Sequence, residues 1–351
     1  MEKIVAAIMV AFVIPLICTP LVKKLAFKIG AVDAPNHRKV HSKVMPRMGG
    51  LAIYLAFIAA VLVGLPLSES LMGLILGATI IVAIGILDDI RDISPKLKLL
   101  GQIAAALILV HFGVDVEFIT NPFNGVIALG MLSIPVTIFW VIGITNAVNL
   151  IDGLDGLAAG TAIITAITLA IVAWTEGQTV VMYAALILAA ATLGFLRFNF
   201  HPAQIFMGDS GSMFLGFVLA TLSILGLGKS ATVISIFIPI LILGVPILDT
   251  AFAIVRRYLN HQPIFSADKE HLHHRLLAMG LTHKATVVVI YGIHLVMGLS
   301  AVLLTFLTTA QGVMILSMLS IIIILGAERL GIINTQVILN NQKKSYNQGG
   351  E

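Results

Sequence analysis

The sequence predicts an all-α integral membrane protein of about eleven transmembrane helices, with the N-terminus outside and the C-terminus cytoplasmic. Three observations predict it. Hydrophobic residues make up 59% of the 351 residues and charged residues only 11%, with a mean hydropathy of +1.06. A soluble chain carries roughly 25% charged residues. Apolar runs near the roughly 20 residues that a spanning helix needs recur along the chain, and the cations gather in alternate loops.

The runs fall at about 4–22, 48–65, 70–87, 97–113, 126–145, 157–174, 178–196, 211–228, 231–255, 285–308 and 311–327. The first has neither a basic leader nor a small-residue cleavage site and reads as a retained helix. The only cysteine, Cys18, lies in it, so no intrachain disulfide can form. Residues 1–330 read as one polytopic domain and 331–351 as a polar cytoplasmic tail. The acidic–apolar alternation of "VDVEFITNPFNGV" (114–126), with its Asn-Gly signal, predicts a small hairpin on the outer side.

Alternating the loops puts all Lys and Arg except Lys3 and Lys229 on one face, 19 of 21. The positive-inside rule makes that face cytoplasmic. The net charge of +4 is therefore juxtamembrane anchoring and no signature of nucleic-acid binding. Asp33, Asp88, Asp89, Asp92, Asp152, Asp155, Asp209 and Asp268 lie on that same side, and so do all histidines but His111 and His294. Whatever chemistry the chain performs belongs to the cytoplasmic loops.

Five polar loops carry it. The first ends in "HSKVMPRMGG", where His41, Lys43 and Arg47 precede two glycines and suit either anchoring or an anionic ligand. In the second, "DDIRD" puts three carboxylates within five residues, mutually repulsive unless Arg91 or a hard dication such as Mg2+ relieves them. Ionisable groups at a membrane edge are by default functional. The third, "NAVNLIDGLDGLAAG", spaces Asn146, Asn149, Asp152 and Asp155 by three, so these groups smear around a helix unless the backbone breaks at Gly153 or Gly156. The fourth, "RFNFHPAQIFMGDSGS", starts the next span with Asp209, three residues after Phe206; Asp209 suits an N-cap. In the fifth, about 256–284, His271, His274 and Arg275 share one face if helical, and this cluster suits an anion. Neither an H-E-x-x-H pair nor a cysteine partner supports zinc there. Asp249, in the preceding span after Pro246, reads as a buried partner of a helix kink.

Acidic and basic clusters on one face suit phosphoryl chemistry, in which carboxylates hold Mg2+ while cations hold phosphates. An ion-coupled transporter, the alternative class, would place its ionisable groups at the midplane between repeated halves.

"DDIRD", "NAVNLIDGLDGLAAG", "FNFHPAQIFMGDSGS" and "HLHHR", in this order over roughly residues 30–285, resemble the polyprenyl-phosphate N-acetylhexosamine-1-phosphate transferases, glycosyltransferase family 4. The resemblance implies a bacterial cytoplasmic-membrane enzyme that moves a sugar 1-phosphate from a UDP-sugar to a polyprenyl phosphate with Mg2+, or with Mn2+ as substitute, and releases UMP. Asp92 in "DDIRD" and Leu272 within "HLHHR" are similar to the WecA/TagO type, which uses UDP-GlcNAc and undecaprenyl phosphate to start teichoic acid, O-antigen or related polymers. The MraY-type enzymes, the alternative branch, use UDP-MurNAc-pentapeptide. By resemblance, Asp209, Asp88 and Asp89 bind Mg2+, and Asp88 is also a proton acceptor. Asn149, Asp152 and Asp155 orient nucleotide or sugar, and Phe206 stacks on uracil. His271, His273, His274, Arg257 and Arg275, assisted by Lys43 and Arg47, contact phosphates or sugar. The oligomeric state stays open, a homodimer included.

Overall fold

The computed structural model describes residues 2–34, 44–120, 126–227, 237–260, 262–263 and 271–332. Lys43 and the tail beyond Ile332 lie outside them. Thirteen α-helices are present among the described residues: α1 (Glu2–Ile29), α2 (Gly50–Gly64), α3 (Glu69–Arg91), α4 (Pro95–His111), α5 (Ser133–Leu150), α6 (Leu157–Thr175), α7 (Thr179–Asn199), α8 (Asp209–Leu227), α9 (Phe237–Ile242), α10 (Gly244–Leu259), α11 (Leu272–Ala278), α12 (His283–Leu304) and α13 (Thr309–Arg329). Short antiparallel pairs join β1 (Val32–Asp33) to β2 (Met45–Pro46) and β3 (Phe118–Thr120) to β4 (Val126–Ala128). The second pair is the hairpin expected at 114–126.

Eight of the described helices are long and apolar enough to cross a membrane, so the chain is a multi-pass membrane protein. Three expected runs take other forms. The helix of the second, α2, has only 15 residues, about 22 Å at 1.5 Å per residue, short of a hydrocarbon core of about 30 Å. α4 is also short, at 17 residues. The run 231–255 is broken, with α9 ending at Ile242 and α10 starting at Gly244. Pro246 causes the break, because it has no N–H for the carbonyl of Ile242 four residues back and its ring collides with that carbonyl. The carbonyl is not abandoned: the Thr165 hydroxyl of α6 donates to it at 3.3 Å.

α8 is the axis of the bundle. It packs against α3 and α5 most extensively, with α2, α6 and α7 around the remainder, and it is mostly buried where α13 is mostly exposed. Its side chains Met213, Phe214, Phe217 and Val218 are fully buried. The outer faces of α1 and α13 leave Val5, Met9, Ile17, Met314, Ile321 and Leu325 exposed, as a lipid-facing surface requires.

At one end of the bundle, helices meet backbone to backbone. A Cβ on Gly50 would lie 2.1 Å from Gly211 Cα, and one on Gly85 would lie 2.4 Å from Ser210 Cα. These glycines let α2 and α3 close on the first turn of α8. Overpacking a tight core contact costs about 1–3 kcal/mol, so Gly85→Ala should lower the thermal midpoint of the detergent-solubilised protein. Gly143→Ala, whose Cβ meets nothing within 4 Å, is the control and should leave the midpoint level or raise it.

Candidate active site

The end of α3 and the start of α8 build the centre of the site. Gly208 has φ +73°, and a Cβ there would lie 2.5 Å from the Asp89 carboxylate. Glycine is therefore required twice over, for the left-handed turn and for the approach. Immediately after it, the backbone N–H groups of Asp209 and Ser210 donate to the two oxygens of Asp89 at 2.8 and 3.2 Å. Asp89, only 1% exposed, thus caps α8 from a neighbouring helix, complementing the positive end of its dipole. Both oxygens of this expected metal ligand are engaged in presenting Asp209.

Asp88 turns the other way. The ammonium of Lys98, at the start of α4, sits between its Oδ2 at 2.8 Å and Asp209 Oδ2 at 2.6 Å. Asp88 Oδ1 is buried with no hydrogen-bond partner among the described residues. Two carboxylates converging on one cationic point, with a further oxygen idle, fit a hard divalent cation. Lys98 was not among the residues the sequence singled out, because a juxtamembrane lysine reads as anchoring. Its spacing of four from Gln102 was the available signal, since it puts two polar groups on one face of an apolar helix.

The third acidic residue of "DDIRD" leaves the set. Asp92 ends α3 in a left-handed conformation (φ 47°) with its side chain 80% exposed. Arg47 pairs with it and donates to the carbonyls of Asp89 at 3.1 Å and Asp88 at 3.4 Å. The guanidinium therefore caps the negative end of α3. Phe206 stands on the strand-like segment beside Arg47, its N–H donating to Pro46 O at 2.8 Å.

The spacing of three in "NAVNLIDGLDGLAAG" resolves into four different environments. α5 continues through Leu150, a turn follows, and Gly156 (φ +79°) opens α6. Asn146 exchanges hydrogen bonds with Gln102 at 2.8 and 3.2 Å and holds α5 to α4. Asn149 faces the centre, its amide 3.5 Å from Asp209 and its carbonyl accepting from Ser212 Oγ at 2.7 Å. Burial, then the charges of Asp209, Asp89 and Asp155, raise the Asp152 carboxyl to about 7. Asp155 accepts from the Ala203 N–H at 3.0 Å and pairs with His201 Nδ1 at 2.8 Å. Buried Asn199, also missed, ties the two loops by accepting from Gly156 N–H and donating to Ile205 O, both at 3.1 Å.

A histidine wall faces this turn. His273 is buried against Gly153, where a Cβ would meet Nε2 at 2.5 Å. Burial, then the neighbouring His274, lowers its pKa to about 4, so it is a neutral imidazole at pH 7. His271 pairs through Nδ1 with buried Asp249 at 2.8 Å, while the other Asp249 oxygen accepts the Leu272 N–H at 2.8 Å. Asp249 is thus the clamp between α10 and α11. Arg257 is buried at the end of α10, and Arg275 lies on α11 beside His274.

Carboxylates poised for a dication, beside imidazoles and guanidinium groups at the end of an apolar bundle, define a membrane enzyme that handles phosphates. The chain belongs to glycosyl transferase family 4, whose profile matches residues 71–227. It is 49% identical to a Bacillus subtilis protein described as "Probable undecaprenyl-phosphate N-acetylglucosaminyl 1-phosphate transferase", over 95% of this chain and 94% of that one. It is 38% identical to the decaprenyl-phosphate N-acetylglucosaminephosphotransferase of Mycobacterium tuberculosis, over 80% and 77% of the two chains. Against the undecaprenyl-phosphate alpha-N-acetylglucosaminyl 1-phosphate transferase of Escherichia coli the identity is 30%, over 76% and 75%. The enzyme is a sugar-1-phosphate transferase.

Two measurements test this geometry. Lys98→Met leaves the buried Asp88 and the half-buried Asp209 without their shared cation, and because the site is partly solvated the cost falls below the roughly 3–5 kcal/mol of a fully buried pair. The deficit in metal-free denaturation should shrink when a divalent cation is added. A deficit indifferent to cations would separate the ammonium from the cation position. The raised Asp152 carboxyl holds its proton more tightly folded than unfolded, so folding stability falls as pH climbs from 3.8 toward 7. In metal-free protein, Asp152→Asn should flatten that part of the melting profile.

Proposed function

We propose that the chain transfers N-acetylglucosamine 1-phosphate from UDP-GlcNAc to undecaprenyl phosphate at the cytoplasmic face of a bacterial inner membrane, releasing UMP. The product is the lipid-linked sugar that starts a cell-surface polymer. The observation that carries this reading is the convergence of Asp88 and Asp209 on one cationic point, in a chain whose relatives are named for undecaprenyl phosphate and N-acetylglucosaminyl 1-phosphate transfer.

Asp88 and Asp209 would hold Mg2+, with Asn149 aligning the Asp209 carboxylate and Asp89 fixing its backbone. When bound, that ion supplies charge neutralisation for the pyrophosphate. A phosphate oxygen of the lipid attacks the sugar-bearing phosphorus, the bond from that phosphorus to the bridging oxygen breaks, and UMP departs with the bond electrons. Any proton on the attacking phosphate, whose second pKa is about 6, passes to a carboxylate. Asp152, raised to about 7, matches that task more closely than an ordinary carboxylate does. His273, neutral at pH 7, offers a phosphate one N–H, so positive charge at the rim is left to Arg257 and Arg275. Phe206 and Asp155 would border the nucleotide and sugar.

Purified protein supplied with UDP-GlcNAc, undecaprenyl phosphate and Mg2+ should form lipid-linked GlcNAc 1-phosphate and UMP in equal amounts, with turnover lost on EDTA. UMP release without lipid-linked product sinks the assignment. Asp209→Asn should lower turnover by at least a hundredfold. Offering UDP-MurNAc-pentapeptide alongside distinguishes the two sugar donors.

A further inference from the structure

The turn bearing Asp155 and the loop bearing His201 meet the first residue of α12, His283, in a cluster whose two imidazoles the transfer reaction does not use. The imidazoles of His201 and His283 lie nearly parallel, 21° apart with centroids separated by 4.3 Å. One ligand atom from each of Asp155, His201 and His283 lies within 4.8 Å of the other two. His283 Nε2 is buried and makes no hydrogen bond among the described residues. A buried ring nitrogen without a partner is disfavoured in either tautomer, as a donor with no acceptor or a lone pair with no donor. Burial and the stacked His201 ring both disfavour a charged His283, which leaves a lone pair available beside a carboxylate.

We propose that Asp155, His201 and His283 form a second cation site, taking a borderline d-block dication such as Zn2+. Two imidazole nitrogens and one carboxylate oxygen, with a fourth position for water or a ligand oxygen, are a zinc donor set. Mg2+ prefers an octahedron of oxygens, so the pair Asp88/Asp209 and this triad sort the two ions by hardness. Closing the cluster onto bonds of about 2.0–2.1 Å draws the start of α12 toward both loops. On the transferase reading of Asp155, it also withdraws that carboxylate from substrate. Zn2+ at this site is then an inhibitor that Mg2+ does not displace.

The test uses Co2+ as a visible probe on the full-length protein in detergent, with excess Mg2+ occupying the carboxylate pocket. Wild type should show the d–d absorption of a four-coordinate site at one equivalent, displaced by Zn2+. His283→Ala and His283→Gln should both lose it while keeping the metal-free melting temperature and the Mg2+-supported turnover. Zn2+ inhibition should weaken at least tenfold in the same variants. An absent band in wild type, or a band that survives both substitutions, overturns the site. Binding through His283 without inhibition overturns the regulatory consequence. Co2+ binding in a protein that makes no lipid-linked product would instead count against the transferase reading, since the spectrum is independent of turnover.

Discussion

Two adjacent carboxylates at the end of α3 divide the labour on which the site depends. Neighbouring residues on a helix diverge by about 100°, so Asp88 and Asp89 cannot serve the same partner without distortion. Asp89 takes the two orphan N–H groups at the start of α8, and those charge-assisted bonds fix where Asp209 begins. Asp88 then meets the Asp209 side chain across the Lys98 ammonium. The arrangement needs α3 and α8 in backbone contact, which Gly85 and Gly208 permit, and it needs α2 to close the other side, which Gly50 permits. A methyl group at any of these positions would separate the elements that carry the chemistry.

The legible part of this architecture was the part that periodicity and composition control. The long apolar runs and the hairpin near 114–126 follow from residue types within a window, and eight spans and a two-stranded pair stand there. α2 and the broken α9–α10 were harder, because a hydropathy window does not register that Pro246 frees one carbonyl or that Thr165, some eighty positions earlier, is there to receive it. In the site, the acidic motifs announced themselves, but their division of roles did not. Whether Asp89 faces a cation or a helix end depends on the packing angle of α3 against α8, which has no local signature. Lys98 and Asn199 went unnoticed for the same reason, since each becomes functional or structural only through partners more than five residues distant in a fold of buried contacts.

The spacing of three in the loop after α5 shows how one sequence regularity can be split by a turn. Had the helix continued, Asn146, Asn149, Asp152 and Asp155 would have spiralled over about half its circumference. α5 ends at Leu150 instead, so Asn146 and Asn149 share a helix while Asp152 and Asp155 stand in the turn before Gly156 opens α6. Asn146 is left to hold α4, Asn149 to hold Asp209, Asp152 to face the acidic centre, and Asp155 to face the histidines. The single motif therefore reaches both the carboxylate pocket and the imidazole cluster.

Charge balance explains why the centre can exist without collapsing. Asp88, Asp89 and Asp209 would together place three negative charges in a partly desolvated space, where repulsion is weakly screened. Two devices offset this: the α8 N-terminus for Asp89 and the Lys98 ammonium shared by Asp88 and Asp209; burial that pushes the nearby Asp152 carboxyl up to about 7 limits a fourth charge. A dication arriving between Asp88 and Asp209 would compete with the ammonium for the same oxygens. The ammonium, on a four-carbon stem rooted in α4, has the length to swing toward an incoming phosphate while the carboxylates stay fixed. The residue that neutralises the resting site would then bind the substrate's charge once a cation has taken its place. Such an exchange would couple cation binding to phosphate binding through one side chain.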